Sequence, residues 1–307
     1  KARYYQTDSS PTFPPSSGTS YSYRCNMILG ASCDYTTTCI GPNVVVTNVE
    51  PTQVDIVWAP GNTETSWDVA YMATGDTGWT VVATATTATS HSFTNLNDAT
   101  NYSFRVTAPC GTESADRIVN VFTPCLPYSV PFYEGFESWT ASSTAAIDPC
   151  WYRMSSYVSG STLYPYVTTS YALSPSKSMY MYSTSSSYSL LALPKFSTPV
   201  DSLQVTFGLL KSNTSYAHEI QVGVMTDPMN IKTFDAVEII TLPRVNEWVD
   251  YYVLFDSYKG AGEYIALRIP KSASPMSMFV DDVRIENIVA CNVPQNLASE
   301  AADVTAK

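Results

Sequence analysis

Histidine, ionic charge and helical periodicity are what this chain has least of. His91 and His218 are the only histidines in 307 residues. That excludes most zinc sites and limits acid–base chemistry by imidazole. Charged residues make up 14% of the chain, against about 25% in an average soluble domain. The 16 Lys and Arg are outnumbered by 27 Asp and Glu, for a net charge of −11, and the basic residues do not cluster. With no basic footprint, neither nucleic acid nor an anionic membrane is expected as a partner. No run reaches the roughly 18 apolar residues of a membrane helix, so direct membrane insertion is not expected. The chain opens Lys-Ala-Arg, with no apolar signal segment, and reads as a piece of something longer. Phosphate-loop and dinucleotide fingerprints and the Gly-x-Ser-x-Gly elbow do not occur. His218-Glu219 is not a His-Glu-x-x-His motif, because position 222 is Val. Both histidines sit in strand-like alternation and read as surface or half-buried residues.

What the chain does have is alternation. Hydrophobic residues are 45%, enough for real cores, and the polar surface comes from Ser, Thr, Asn and 22 Tyr. Tyr264-Ile-Ala-Leu-Arg-Ile269 puts its isoleucines and leucine on one face. Val249, Tyr251, Val253 and Phe255 share another, and Glu219 to Val224 alternates strictly. Runs of this length between Pro, Gly, Asn, Asp and Ser clusters predict an all-β protein of sandwich type.

Composition and cysteines divide the chain into residues 1–38, 39–125, 126–290 and 291–307. The second part carries Trp58 on an alternating segment, then Leu96, Thr100, Tyr102, Val106 and Ala108 in the spacing Leu-x-x-x-Thr-x-Tyr-x-x-x-Val-x-Ala. It resembles the fibronectin type III family. The resemblance implies a seven-strand sandwich in which the Tyr102 hydroxyl pins a crossover between the sheets. The third part opens with Phe136-Glu137, continues with Cys150-Trp151 and closes with Phe279-Val-Asp281-Asp282-Val. It resembles the MAM-like jelly roll, and most of all the cleaved-adhesin modules of Bacteroidetes surface proteins. Cys291-Asn-Val-Pro294 echoes Cys39-Ile-Gly-Pro42 at a distance of 252 residues. Residues 291–307 therefore read as the start of a second fibronectin type III module, and residues 1–38 as the tail of a preceding β-domain.

Seven cysteines without a Cys-x-x-Cys pattern fit an oxidising, extracellular setting better than a metal site. The resemblance implies that Cys39, at the module entry, bridges Cys110, at the end of its sixth strand. Cys125 would pair with Cys150 and tie the two modules together. Cys25 and Cys33 are the remaining local pair, and Cys291 would find its partner in a further repeat.

Two sets of residues are candidates for chemistry. Glu134, Glu137, Asp281 and Asp282 offer hard oxygen ligands, and the MAM-like resemblance implies a structural Ca²⁺ near them. Residues three apart on an extended strand face opposite ways, so Glu134 and Glu137 serve one site only through a bulge at Gly135. Tyr157, Tyr164, Tyr166 and Tyr171 read as loop residues in a Ser/Thr-rich stretch. Their flat apolar faces and polar tips suit a sugar or protein surface. Tyr180 and Tyr182 share one strand face and read as packing or groove-lining. The acid spacing does not place two carboxylates on one strand face as a glycosidase needs, and no enzyme is expected. The expected function is adhesion: non-catalytic binding of an extracellular glycan or protein by a secreted or surface-displayed bacterial protein, in company with further repeats of the same chain. A structural stalk and the accessory region of a secreted hydrolase are the alternatives.

Overall fold

The computed structural model describes residues 39–110, 113–212, 218–242 and 244–289. Cys25, Cys33 and Cys291, and the partial modules at 1–38 and 291–307, lie outside the described residues. The protein is all-β, and no helix among the described residues is long and apolar enough to cross a membrane. Its described residues fall into two compact units. One takes in those of 1–48, 54–92 and 102–121, the other those of 49–53, 93–101 and 122–307.

Seven strands form the first sandwich: β1 (Asn43–Glu50), β2 (Gln53–Ala59), β3 (Trp67–Ala73), β4 (Thr80–Thr86), β5 (Ser90–Thr94), β6 (Asn101–Cys110) and β7 (Glu113–Phe122). They divide into a three-stranded sheet, β1-β2-β5, and a four-stranded sheet, β4-β3-β6-β7. The alternation in β2 buries Val54, Ile56 and Trp58. That in β6 buries Tyr102, Phe104, Val106 and Ala108. Trp58 and Trp67 meet edge to face with centroids 6.1 Å apart, and Tyr102 packs between Tyr71 and Phe104. Cys39 and Cys110 are bonded, closing a loop of 71 residues in sequence separation.

The second unit has eleven strands. These are β8 (Phe132–Glu134), β9 (Tyr152–Ser155), β10 (Tyr166–Thr168), β11 (Ser178–Ser183), β12 (Ser189–Ala192), β13 (Leu203–Lys211), β14 (His218–Met225), β15 (Phe234–Leu242), β16 (Val249–Leu254), β17 (Tyr264–Ile269) and β18 (Met276–Asn287). One sheet runs β10-β11-β18-β13-β16, with β8 also paired to β18; the other runs β15-β14-β17-β12-β9. The inward halves of the alternating strands meet between the sheets. Met179 and Met181 come from β11, Val205 and Leu209 from β13, Ile220 and Val222 from β14, and Ile265 and Leu267 from β17.

The short motifs read from the sequence are core anchors. Phe136, Trp139 and Trp151 form a three-way edge-to-face cluster at 5.3, 5.5 and 5.8 Å, and Cys150, next to Trp151, is bonded to Cys125 inside this unit. Strand β12 is buried on both faces. Leu191 joins the inter-sheet core, while Leu190 and Ala192 join Met225 and Ala266 in a second cluster covered by Tyr152, Met154, Tyr188, Phe234 and Tyr264.

His218 corrects the expectation of a surface or half-buried histidine. It begins β14 on the inward side of the alternation that buries Ile220 and Val222, and it is 1% exposed. Among the described residues neither ring nitrogen has a hydrogen-bond partner. Burial, reinforced by the charge of Lys211, holds the ring below the ordinary imidazole range.

Two outcomes are expected from this architecture. Non-reducing peptide mapping should recover Cys39–Cys110 and Cys125–Cys150 peptides, and a Cys39–Cys125 peptide would contradict the fold. Replacing Cys39 and Cys110 together by Ala should cost about 4 kcal/mol on the chain-entropy model, read from denaturant unfolding. For His218, the unfolded chain binds the proton more readily than the folded one. Its contribution to stability is therefore complete above about pH 6.5 and is lost as pH falls through the lowered folded value. His218→Leu should flatten the fall in Tm between about pH 7 and pH 5, with the parent chain measured alongside.

Candidate functional site

The site grows from the register of three strands. Tyr166 of β10 lies opposite Tyr180 of β11, and Tyr180 lies opposite Phe279 of β18. Directly opposed residues share a face, as do residues two apart on one strand. Tyr166, Tyr180, Tyr182 and Phe279 therefore occupy one face of the sheet, while Met179 and Met181 fill the core from the other. The centroids are 5.2 Å apart for Tyr166–Tyr180 and 4.9 Å for Tyr180–Phe279.

Loop tyrosines extend this row at both ends. Tyr171 packs on Phe279 at 4.7 Å. Tyr164 touches Tyr166, Tyr180 and Tyr182 at 5.3, 5.9 and 5.6 Å, and Tyr157 lies 4.9 Å from Tyr182 and 5.6 Å from Tyr164. The four tyrosines expected to bind a ligand thus belong to one seven-ring network. Tyr180, Tyr182 and Phe279 are the members that sequence reasoning did not place in the site. The signal was there for the two tyrosines, which alternate out of phase with the core methionines.

Tyr157, Tyr164, Tyr166, Tyr180 and Tyr182 are half-buried, and Tyr171 is exposed. Burial pushes the Tyr180 hydroxyl up to about 12, although its bond with Ser277 works the other way. Burial raises Tyr164 and Tyr166 as well. Tyr164, Tyr166 and Tyr180 therefore stay neutral at physiological pH.

Beside Tyr157 and Tyr164 the chain makes a short turn in which Ser159 pairs with Thr162. Gly160 there takes the left-handed backbone (φ +57°) that glycine adopts without strain. This turn lines a cavity of about 450 Å³, whose walls also include Tyr157, Leu163, Tyr164 and Tyr188.

The carboxylates lie at the other end, around the loop that carries Tyr171. Val283 of β18 is opposite Glu134 of β8, so the first and last strands of the unit are neighbours. Asp281 is fully buried and accepts from the backbone N–H groups of Leu173 (2.8 Å), Ser174 (3.1 Å) and Asp282 (2.7 Å). Asp282 has a positive φ of 51° and accepts from the hydroxyls of Tyr133 and Ser174. Gly135 makes room for this arrangement, because a Cβ there would stand 2.7 Å from the Tyr133 hydroxyl.

Glu134 accepts from Phe136 N–H and from Trp139 Nε1. Glu137 accepts from Ser176 N–H and Oγ and from Lys177 N–H. The chain turns after Gly135, with Phe136 at φ +60°, and sends the two glutamates to different partners. Burial raises Glu134 and Asp281 above the ordinary carboxylate range, against the pull of their hydrogen bonds. At Glu137 the bonds from Ser176 and Lys177 outweigh desolvation and lower it.

Among the described residues neither Glu134 nor Asp281 has an ion-pair partner, and no three His, Cys, Asp or Glu are grouped to hold a metal. The acidic set therefore acts, as it stands, as a row of acceptors that fastens residues 173–177 to β18 and to the turn at 135–139.

Residues 40–119 match the fibronectin type III family. Trp58, Tyr102 and the Leu96–Ala108 spacing all lie inside that match. No curated protein matches the chain. Among solved structures, the second cleaved-adhesin domain of Lys-gingipain is 13% identical, covers 51% of this chain and 99% of its own, and has a TM-score of 0.39. The first such domain, from Porphyromonas gingivalis W83, is 14% identical over 52% and 99%, with a TM-score of 0.38. A structure described as a β-sandwich carbohydrate-binding module is 11% identical over 80% of this chain and 98% of its own, at 0.34. The fibronectin type III domain is thus assigned by sequence, while the ring network and the carboxylate-held loop lie beyond it, in the second unit.

Removing the Asp281 carboxylate should free that loop. Asp281→Ala leaves the N–H groups of Leu173 and Ser174 without their acceptor and should cost about 1–3 kcal/mol in urea unfolding. Amide exchange at Leu173 and Ser174 should accelerate; unchanged exchange there would mean the loop is held by something else.

Proposed function

We propose that the second unit is a non-catalytic adhesion module of a secreted or cell-surface protein, and that it binds an extracellular glycan or protein on its aromatic face. The observation that carries this reading is the seven-ring network. Tyrosines at Tyr157, Tyr164, Tyr166 and Tyr171 are held by a sheet whose own Tyr180, Tyr182 and Phe279 lie beneath and between them. Rigid, amphipathic rings give contact area at small entropic cost. The carboxylates beside the face, Asp281 and Asp282, are committed to hydrogen bonds with Leu173, Ser174 and Tyr133, which supports binding over catalysis. Two disulfides support an oxidising, extracellular location. The pairing of β8 with β18 supports the MAM-like arrangement, with the fibronectin type III domain as spacer.

Tyr164→Ala combined with Tyr166→Ala should abolish binding in a panel of immobilised glycans and extracellular proteins, while circular dichroism and Tm show the sandwich intact. Binding that survives the double substitution would move the site elsewhere.

Calcium is a separate proposal. Glu134 is half-buried and Asp281 fully buried, with no ion-pair partner among the described residues, and Glu134 Oε1 and Oε2 and Asp281 Oδ1 each accept a single bond. These oxygens keep lone pairs that suit a hard cation. A Ca²⁺ ion takes six to eight oxygens, so backbone carbonyls and water would supply the rest. Excess calcium should then raise Tm above its value in chelator; equal values would leave the carboxylates as loop fasteners alone.

A further inference from the structure

The aromatic face leaves the class of ligand open, and its electrostatics narrow the choice. The seven rings carry no ionic group. The cavity of about 450 Å³ at the Tyr157–Tyr164 end has one ionic residue in its wall, Arg153. That guanidinium is already engaged: one nitrogen donates to Pro165 O at 3.2 Å and another to Ala145 O at 2.7 Å. The remaining wall is aromatic and aliphatic surface with the hydroxyl residues Ser155, Ser161 and Thr162. An acidic ligand would meet a single cation here, Arg153, which two backbone carbonyls hold in place, against a chain whose net charge is −11. A protein partner would be expected to meet a broad surface of roughly 800 Å² per side with a polar, charged rim. A concavity of this volume falls in the range of small-ligand sites, about 300–1,000 Å³.

An uncharged sugar matches each feature. Its ring presents a C–H face that packs on a tyrosine ring by dispersion, and its hydroxyl groups exchange hydrogen bonds with Ser, Thr and Tyr hydroxyls.

Resting on the reading of the aromatic face as a binding surface, we propose that its ligand is an uncharged glycan. One sugar unit occupies the cavity between Tyr157, Tyr164 and Tyr188, and neighbouring units lie along Tyr164, Tyr166 and Tyr182. Recognition is by stacking and neutral hydrogen bonds, so affinity does not depend on ionic strength.

The test is calorimetric titration of the full chain with two sets of oligosaccharides. One is neutral (gluco-, xylo- and manno-oligosaccharides); the other is acidic (heparin, hyaluronan and polygalacturonate fragments). At least one neutral series should bind, with the same affinity from about 0.01 M to 1 M salt, over which the Debye length falls from about 30 Å to 3 Å. Tyr164→Ala should weaken binding about tenfold or more, and Tyr164→Phe, which keeps the ring, should retain most of it. Ser161 is exposed in the turn, so Ser161→Trp fills the cavity without disturbing the core and should also weaken binding.

Binding confined to acidic glycans or to proteins, yet lost in Tyr164→Ala, overturns this inference and leaves the aromatic face standing as a binding surface. Neutral-glycan binding that survives both Tyr164→Ala and Ser161→Trp overturns it as well, and takes the aromatic-face reading with it. Failure of every neutral series to bind overturns the assignment of ligand class.

Discussion

The register of β18 is the constraint on which the second unit rests. This strand pairs with β13 along one edge and with β11 and then β8 along the other. Its first half sends Met278 and Val280 into the core and Phe279 out under the tyrosines. Its pairing with β13 then slips between Thr206 and Gly208, opposite the Asp281–Asp282 segment. That irregularity is what lets two adjacent carboxylates both serve the outer layer. Asp281 holds the backbone of Leu173 and Ser174, and Asp282 holds two hydroxyls. In a regular strand they would face opposite sides of the sheet. The loop so fastened brings Tyr171 onto Phe279, so one strand supports both the aromatic row and the acceptors that position part of it.

The low charge of the chain and its tyrosine content are two aspects of one solution. A sheet face left to solvent usually carries Lys and Glu. Here it carries phenol rings with neutral hydroxyls. Tyr180 is pushed further from ionisation by its own burial, and the carboxylates near it in the fold, Glu134, Glu137, Asp281 and Asp282, accept hydrogen bonds from neighbouring backbone and side chains. A surface of this kind offers contact area and hydrogen bonding without long-range electrostatic steering. It also holds its rings in a fixed arrangement, because each touches others in the network and the central ones are anchored on paired strands.

Most of the strands were legible because alternation is a local property. Tyr264–Ile269, Val249–Phe255 and Gln53–Trp58 bury the faces that their period of two predicts. The tyrosines of the candidate face were partly legible: Tyr180 and Tyr182 declare a shared side, but whether that side is core or solvent depends on which methionines win the interior. His218 went the other way. Its place in the alternation suggests a surface or half-buried residue, and the fold buries it fully with Ile220 and Val222. Tyr133 and Ser174 gave no sign of their role, since a hydroxyl is informative only once its acceptor is in place, and Asp282 lies 149 and 108 residues away.

The sequence alone determined the all-β class and the fibronectin type III spacing around Trp58 and Tyr102, because each is carried by a short-range period or by a motif; the bonds of Cys39 to Cys110 and of Cys125 to Cys150, which the resemblance implies, are decided by the fold. Only the tertiary structure decided that Tyr157, Tyr164, Tyr166 and Tyr171 form one surface, and that Phe279 belongs to it. It also decided that Glu134 and Glu137 part company after Gly135 while Asp281 and Asp282 work together. These outcomes depend on the register between strands far apart in the chain. A shift of one residue in that register exchanges the inner and outer faces, and no local pattern fixes it.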